Sequence, residues 1–446
     1  MMREPAFKRL PRPQRMSLRG RRVLVLGLGD TGLSVARWVG RQGGTPRVAD
    51  TRAAPPRAGD YAGELRTGPF GSELLEGIDL LCISPGLPLD APVVMEAVQR
   101  NIPVAGDVEL FAWQNASPVL AVTGTNGKTT VTALTGHLLR SAGIDCEVAG
   151  NIGPAALEAR MKRDAPPAAW VLELSSYQLE TTWSLEPRAA AVLNLTEDHL
   201  DRYTGLDEYA AAKARIFQGS GLQVLNRDDF RVMAMAQPGR RFVTFGLSAL
   251  QDWGVQEGRL VRNGEPIIDV TELPIRGWHN AANALAACAL ASTFNVSAED
   301  LRGGLRTFKG LPHRLELVAV RRGVEWYDDS KGTNVGATLA ALQGLARPTV
   351  LILGGEGKGQ DFSPLVPAVA QFAAHVLLIG RDAQLIRKAV GGEICATLEE
   401  AVRRAAELAR AGQAVLLSPA CASFDMFRDY KHRGEVFAAA VRGLPA

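Results

Sequence analysis

Cysteine is scarce in this 446-residue chain: Cys82, Cys146, Cys288, Cys395 and Cys421 are scattered, odd in number and never spaced as Cys-x-x-Cys. This excludes a disulfide framework and a thiolate zinc site, and it fits a reducing compartment. No apolar run approaches the roughly eighteen residues of a membrane helix. Charge of one sign is not in excess either. A net charge of +3 gives no general reason to expect nucleic acid or a membrane surface as a partner. Lysine is sparse beside arginine, with only Lys8, Lys128, Lys162, Lys213, Lys309, Lys331, Lys358, Lys388 and Lys431. Residues 1–20 are rich in Arg and Pro and lack the apolar core of a signal peptide. They read as a disordered basic tail, or as the result of an early start codon, Met16 being another. The expectation is a cytoplasmic protein.

What is present is an ordinary globular composition, 46% hydrophobic and 22% charged, in a chain long enough for about three domains. Short apolar runs alternate with helical patterns throughout, which predicts parallel sheets and an α/β fold. In the first segment, 21–116, strands are expected at 22–27, 46–50 and 80–84, with helices at 33–41 and 91–99. The second, 117–311, has strand patterns at 119–123, 170–174, 189–194 and 222–226. Its alanine-rich helix at 277–293 reads as tight packing, and a second helix follows at 298–308. The third, 312–446, has strands at 349–354, 375–379 and 414–418, with helices at 398–409 and 435–442. Gly310-Leu-Pro312 is a plausible hinge.

The run Val119-Leu-Ala-Val-Thr-Gly-Thr-Asn-Gly-Lys-Thr-Thr130 carries an apolar strand straight into a glycine-bracketed lysine. Gly124 and Gly127 let a phosphate approach the backbone, and the amides at the start of the following helix can face the anion. Lys128 would reach the β/γ-phosphates and Thr129 would sit on Mg²⁺. A strict phosphate loop needs glycine where this chain has Val122. Gly27-Leu-Gly-Asp-Thr-Gly32 is a second nucleotide signature, with Asp50 at the spacing of a ribose-binding acid, and on its own it suggests NAD.

Other candidates are weaker singly. Glu173, at a strand end, is placed as a metal ligand or as a partner for an arginine. His199 follows Asn194, Glu197 and Asp198 at the top of the same sheet, where a site role competes with a structural one. Lys213, among alanines, reads as a snorkelling surface lysine. Asn280 and Asn283, three apart on a helix, could bond a base or phosphate, or cap. The clusters 311–314, 328–334, 354–359 and 429–434 each place a cation at a loop, and together they suit a very anionic ligand set.

Taken in order, Thr123-Gly-Thr-Asn-Gly-Lys-Thr129, Glu173-Leu-Ser-Ser176, Thr196-Glu-Asp-His199, His279-Asn-Ala-Ala-Asn283 and Leu311-Pro-His-Arg314 resemble the Mur ligases, ATP-dependent amide-forming enzymes of peptidoglycan synthesis. Val122 belongs to that family's phosphate-loop variant. The resemblance implies a Rossmann-like UDP-binding domain, a central P-loop mononucleotide-binding domain and a Rossmann-like C-terminal domain that closes over ATP about the hinge. It replaces NAD by the uridine diphosphate of an acceptor. The two ends are most similar to the member that adds D-glutamate to UDP-N-acetylmuramoyl-L-alanine, and a monomer is expected. A folate polyglutamate former and a non-catalytic nucleotide sensor on a dead ligase are the rival readings.

Residue by residue, the resemblance assigns Gly124, Thr125, Asn126, Gly127, Lys128, Thr129, Thr130, Asn280, Asn283, Arg314 and Asp329 to ATP. Thr129, Glu173 and His199 would hold two Mg²⁺ ions. Lys213 matches a lysine that is carbamylated in the family, the opposite of its reading as a surface cation. Asp30, Thr31, Asp50, Thr51, Arg52, Ser84, Gly86 and Asn151 would hold the UDP-substrate. Lys331, Thr333, Lys358, Ser423 and Tyr430 would take D-glutamate. Lys128, His199, Lys213, Arg314 and Lys331 would carry the chemistry, Arg314 and Lys331 acting at the γ-phosphate. Tyr177 stands where relatives often carry Phe, with no consequence expected.

Overall fold

The computed structural model describes residues 5–199, 202–248 and 252–445. Three β-sheets follow one another along the chain. The first contains β1 (Arg22–Leu26), β2 (Thr45–Asp50), β3 (Glu64–Thr67), β4 (Leu80–Ile83) and β5 (Val104–Ala105). They lie in the order β3-β2-β1-β4-β5, with every pair parallel. Val23 to Leu26 and Leu80 to Ile83 are buried without alternation, as strands covered on both faces require.

The second sheet contains β6 (Val119–Thr123), β7 (Cys146–Gly150), β8 (Ala169–Glu173), β9 (Ala189–Val192), β10 (Leu222–Asn226), β11 (Phe242–Phe245), β12 (Trp253–Gln256), β13 (Arg259–Arg262) and β14 (Glu265–Asp269). Its order is β14-β13-β12-β11-β10-β9-β6-β8-β7. The last three strands form an antiparallel meander that the apolar-run reading did not anticipate. These strands are short and only half-buried, and arginine stands at both ends of β13. Their turns pair a non-glycine and a glycine at positive φ, Glu257 with Gly258 and Asn263 with Gly264. Asn263-Gly264 is a hairpin signal in its own right.

The third sheet contains β15 (Glu316–Arg321), β16 (Val324–Asp328), β17 (Thr349–Gly354), β18 (Ala373–Ile379), β19 (Glu393–Ile394) and β20 (Ala414–Leu417). Its order is β15-β16-β20-β17-β18-β19, with only β15 antiparallel. The last helix begins earlier than its apolar pattern, at Tyr430, because Asp429 caps it by accepting from the amide of His432.

A buried carboxylate joins the first two units. Glu109, wholly buried on the helix Asp107–Gln114, accepts from Trp113 Nε1, Trp183 N, Ser184 N and Ser184 Oγ at 2.6–2.8 Å. It ties the first sheet's closing helix to the second unit. Removing it would strand buried donors at about 1–3 kcal/mol each. The segment before residue 20 is a correction. Residues 1–4 lie outside the described residues, but Phe7, Leu10 and Leu18 are buried in the main core, with the Arg215 guanidinium 5.4 Å from the Phe7 ring. Reading Arg and Pro content as looseness overlooked three apolar side chains spaced to dock.

Candidate active site

β6 lies between β8 and β9, so the chain leaves the sheet in opposite directions from its carboxyl end, where α/β sheets bind ligands. The phosphate loop occupies that point. Gly127, at φ 83°, is the N-cap of the helix Lys128–Ser141, and a Cβ there would lie 2.4 Å from Asn283 Oδ1. Both the conformation and the contact demand glycine. Asn283 Nδ2 in turn donates to Asn280 Oδ1 at 3.1 Å, so the two amides act as one braced pair.

Asn194, which the sequence reading left without a role, holds the loop. Its Oδ1 accepts from Asn126 N at 2.8 Å, its Nδ2 donates to Asn126 O, and its carbonyl accepts from Thr125 N. Thr125 Oγ1 accepts from Thr196 N and donates to Thr196 O. Thr129 and Thr130 open the helix beyond the loop.

Lys128 Nζ donates to Gly124 O at 2.9 Å and to Thr125 O at 2.8 Å. Lys213 Nζ donates to the same Gly124 O at 2.8 Å and lies 4.4 Å from the centre of the Tyr209 ring. Lys213 is 1% exposed, so its unaided reading as a snorkelling surface lysine is corrected. On the helix Leu206–Ala214 it shares the buried side with Tyr209 and Ala212, while Ala210, Ala211 and Ala214 are half-buried. Burial pushes Lys213 well below the usual lysine value, and the neighbouring Lys128 pushes it further. Two ammonium groups on one carbonyl are unfavourable, and a neutral amine at Lys213 removes the conflict.

Glu173 ends β8. Its Oε1 accepts from Asn151 Nδ2 at 2.6 Å, while Oε2 is buried and has no hydrogen-bond partner among the described residues. An orphaned carboxylate oxygen beside a phosphate loop fits a divalent cation. Thr129, Glu173, His199 and Lys213 come from four different elements. His199 has φ 56°, and its Nδ1 lies 2.7 Å from Tyr177 Oη. Tyr177, expected to be without consequence, thus contacts a residue expected in the site. Among the described residues, the tight His/Asp/Glu grouping is instead His313, Glu316 and Asp328.

That grouping is already internally bonded. His313 Nδ1 lies 2.7 Å from Asp328 Oδ2, and Glu316 Oε2 accepts from the amide of His313 at 2.9 Å. The bond to Asp328 raises His313 above its ordinary value. A raised folded-state pKa adds stability that is full below about 6.5 and is lost as pH rises through the folded value. His313→Gln is expected to flatten the fall of thermal midpoint with pH over that window. Melts of both proteins with identical slopes would remove the pairing.

The third unit reaches the loop directly. Arg314 donates to Thr129 Oγ1, and Asn334 Nδ2 contacts Asn126 Oδ1 and Asp198 Oδ2, both at 3.3 Å. Asn334 and Asp198 are further residues that the sequence reading left unassigned. Burial lowers Arg314 below its usual value. Asp329 accepts from Ser418 Oγ at 2.7 Å and Leu315 N at 3.2 Å, and burial lifts it to about 7. Lys331, lowered to about 8 chiefly by burial, lies 3.9 Å from the centre of the Tyr430 ring.

Thr333 shares the Lys331 loop. The Lys358 loop is tied to the Ser423 turn by the paired backbone bonds of Glu356 and Ala422. Arg433, wholly buried, bridges Ser330 Oγ and O to the carbonyls of Cys421 and Ala422. It draws the Lys331 loop and the Ser423 turn together; the sequence reading placed it in the cation cluster 429–434 without a role of its own.

On the other side, a cleft of about 900 Å³ is lined by Asp30, Thr31, Asp50, Thr51, Arg52, Ser84, Gly86 and Asn151 among others. It thus gathers all eight residues expected around the UDP-substrate. Asp50 accepts from Leu28 N at 2.7 Å and from three Arg52 donors; Arg52 chiefly holds its carboxyl at about 2. That carboxylate is committed to the glycine turn and to Arg52, unlike the open ribose-binding acid of a dinucleotide site.

A phosphate loop at a sheet's switch point, with a deep cleft on one side and a cation-bearing unit on the other, defines a three-domain nucleotide-dependent enzyme. Residues 21–106 match the Mur ligase MurD-like N-terminal domain, 122–291 the Mur ligase middle domain and 313–421 the Mur ligase glutamate ligase domain. The chain is 53% identical to the UDP-N-acetylmuramoylalanine–D-glutamate ligase of Nitrosospira multiformis, over 97% of each sequence. It is 53% identical to the enzyme of that name from Aromatoleum aromaticum, over 96% of this chain and 98% of that one. The chain belongs to the Mur ligase family.

Solved structures share the fold at low identity. The UDP-N-acetylmuramate–alanine ligase of Thermotoga maritima has a TM-score of 0.62 at 18% identity, covering 95% of this chain and 99% of its own. MurF from Acinetobacter baumannii has 0.61 at 18%, covering 97% and 93%.

Proposed function

We propose that this enzyme joins D-glutamate to the L-alanine carboxylate of UDP-N-acetylmuramoyl-L-alanine at the expense of ATP, releasing ADP and phosphate, in peptidoglycan precursor synthesis. The observation that carries the reading is Asn151. It lines the cleft and also bonds Glu173, so an acceptor lying in the cleft ends beside the phosphate loop. The names and full-length identity of the relatives support the same substrates.

The chemistry follows from the charges. A carboxylate is a poor acylating agent, so the acceptor carboxylate attacks the γ-phosphorus and ADP leaves. Lys128, Arg314 and Lys331 offset the charge that gathers between two anions. The D-glutamate amine then attacks the acyl phosphate carbon, the tetrahedral adduct expels phosphate, and the amine proton passes to solvent or phosphate. Arg314 and Asn334, reaching from the third unit to the loop, help keep out water that would hydrolyse the acyl phosphate.

Thr129 and Glu173 would hold one Mg²⁺, and His199 with a carbamate on Lys213 a second. Mg²⁺, when bound, lowers the repulsion between the attacking carboxylate and the γ-phosphate. The carbamate forms when the neutral Lys213 amine adds to CO₂ and loses a proton, which turns a crowded cation into an anion. Lys331, Thr333, Lys358, Ser423 and Tyr430 would receive D-glutamate. No helix among the described residues is long and apolar enough to cross a membrane. With ATP and a UDP-sugar as substrates, we place the enzyme in the cytoplasm, and we propose that it acts as a monomer.

The test is phosphate release from ATP and Mg²⁺ with UDP-N-acetylmuramoyl-L-alanine plus D-glutamate, plus L-glutamate, or with neither. Release that requires both the acceptor and D-glutamate is expected. Release driven by another amino acid would move the enzyme within the family, and none with any pair would leave a non-catalytic nucleotide binder.

A further inference from the structure

His199 occupies a backbone conformation that costs a non-glycine residue energy, at φ 56°. Local bonds hold it there: its amide donates to Asp198 Oδ1 at 2.9 Å, and its carbonyl accepts from Arg202 N and Tyr203 N. The imidazole, 39% exposed, packs beside two aromatic rings. Tyr177 lies 4.8 Å from it and Tyr209 6.0 Å, centre to centre. Tyr177 in turn meets the Arg202 guanidinium, 4.6 Å from its ring centre, and the stacked Tyr203 ring at 6.1 Å. Arg202 is fixed by Glu180 Oε2 at 2.6 Å and Leu87 O at 2.7 Å. The phenol oxygen therefore stands at a defined point, 2.7 Å from His199 Nδ1.

A histidine can ligate a metal only through a nitrogen that carries no proton, and the bond made by the other nitrogen decides which one that is. Here Nδ1 is the nitrogen engaged by the phenol. The opposite nitrogen, Nε2, lies 3.9 Å from Asp198 Oδ2, the carboxylate that also meets Asn334. We infer that Tyr177 is a positioning residue for His199: its oxygen accepts the Nδ1–H, which holds the ring in one orientation and leaves the Nε2 lone pair for a divalent cation. The inference rests on the proposed role of His199 as a metal ligand and adds a residue to it. A phenol serves because, unlike a carboxylate, it orients the ring without adding an anion where a second carboxylate would compete for the cation.

The experiment is Tyr177→Phe in the full-length protein, which removes one oxygen and keeps the ring packed. Long-range ¹H–¹⁵N spectra of the metal-free protein report the tautomer of His199. The wild type is expected to show a protonated Nδ1 and an unprotonated Nε2, and the variant to shift toward the Nε2–H form that a free imidazole favours. Mn²⁺ alone should broaden the His199 signals of the wild type. Its affinity for the variant should fall by about tenfold or more, with the thermal midpoint little changed.

A wild type protonated on Nε2, or a tautomer unaltered in the variant, would overturn the positioning role while leaving Mn²⁺ broadening intact. A wild-type His199 that Mn²⁺ does not touch would overturn the ligand reading, and this inference with it.

Discussion

Lys213→Ala is expected to lower turnover by about three orders of magnitude while the protein still melts cooperatively near the wild-type midpoint. About 10³ in rate is ~4 kcal/mol of barrier, within what an electrostatic group at a transferring phosphoryl supplies. The fold should tolerate the change because the folded state now carries a buried amine whose charged form burial disfavours. A lysine whose folded pKa lies below its unfolded one penalises folding at every pH below the unfolded value, so alanine relieves a cost as it opens a small void. Lys213→Arg separates the two roles. Arginine keeps a cation at the position but cannot take up CO₂. If it turned over at the wild-type rate, a simple cation would suffice and the carbamate would be wrong. If it is as slow as alanine, and if depleting CO₂ slows only the wild type, the carbamate stands.

Lys213 also shows why parts of the site resisted reading from sequence. Its helix is nearly all alanine, tyrosine and acid, so periodicity could not separate a buried face from an exposed one. Burial there is set by what packs on it, Tyr209 and the phosphate loop. Asn194, Asp198 and Asn334 escaped a role for a similar reason: a polar residue at a strand end looks alike whether it braces a loop or faces water. The strand positions at 22–26, 80–83, 119–123 and 349–354 were legible because buried parallel strands are unbroken apolar runs bounded by turn residues. The cleft was legible for a related reason, since its lining comes from the glycine turn and from strand ends of a parallel sheet. The meander of β12 to β14 was not, because strands of four or five residues, half-buried and without a long apolar run, carry a weak signal.

Lys128→Met should show the same loss on the catalytic side and an opposite effect on stability. In the nucleotide-free protein, among the described residues, Lys128 Nζ donates only to the loop's own carbonyls, Gly124 O and Thr125 O. Burial lowers its pKa, so the charged form is disfavoured in the folded state, though Glu173 and Asp198 act to restore it. An isosteric apolar side chain removes that penalty, and the thermal midpoint without nucleotide is expected to rise. ATP exchanges those carbonyls for phosphate oxygens, and the cation then stabilises charge that grows in the transition state. The variant should therefore lose about 10³ in kcat/KM, and the gain in midpoint that the wild type obtains from ATP should shrink. Both effects have one cause, a cation kept where burial disfavours it until the substrate phosphates arrive. A variant that lost activity and stability together would mean that Lys128 holds the loop's shape instead of serving the phosphate. A variant with normal kcat/KM would remove the loop from the reaction. Carbamylation of Lys213 makes the argument sharper still: with an anion in place of a second amine at Gly124, Lys128 becomes easier to keep charged. CO₂ should then raise the wild-type midpoint and leave that of Lys213→Ala unmoved.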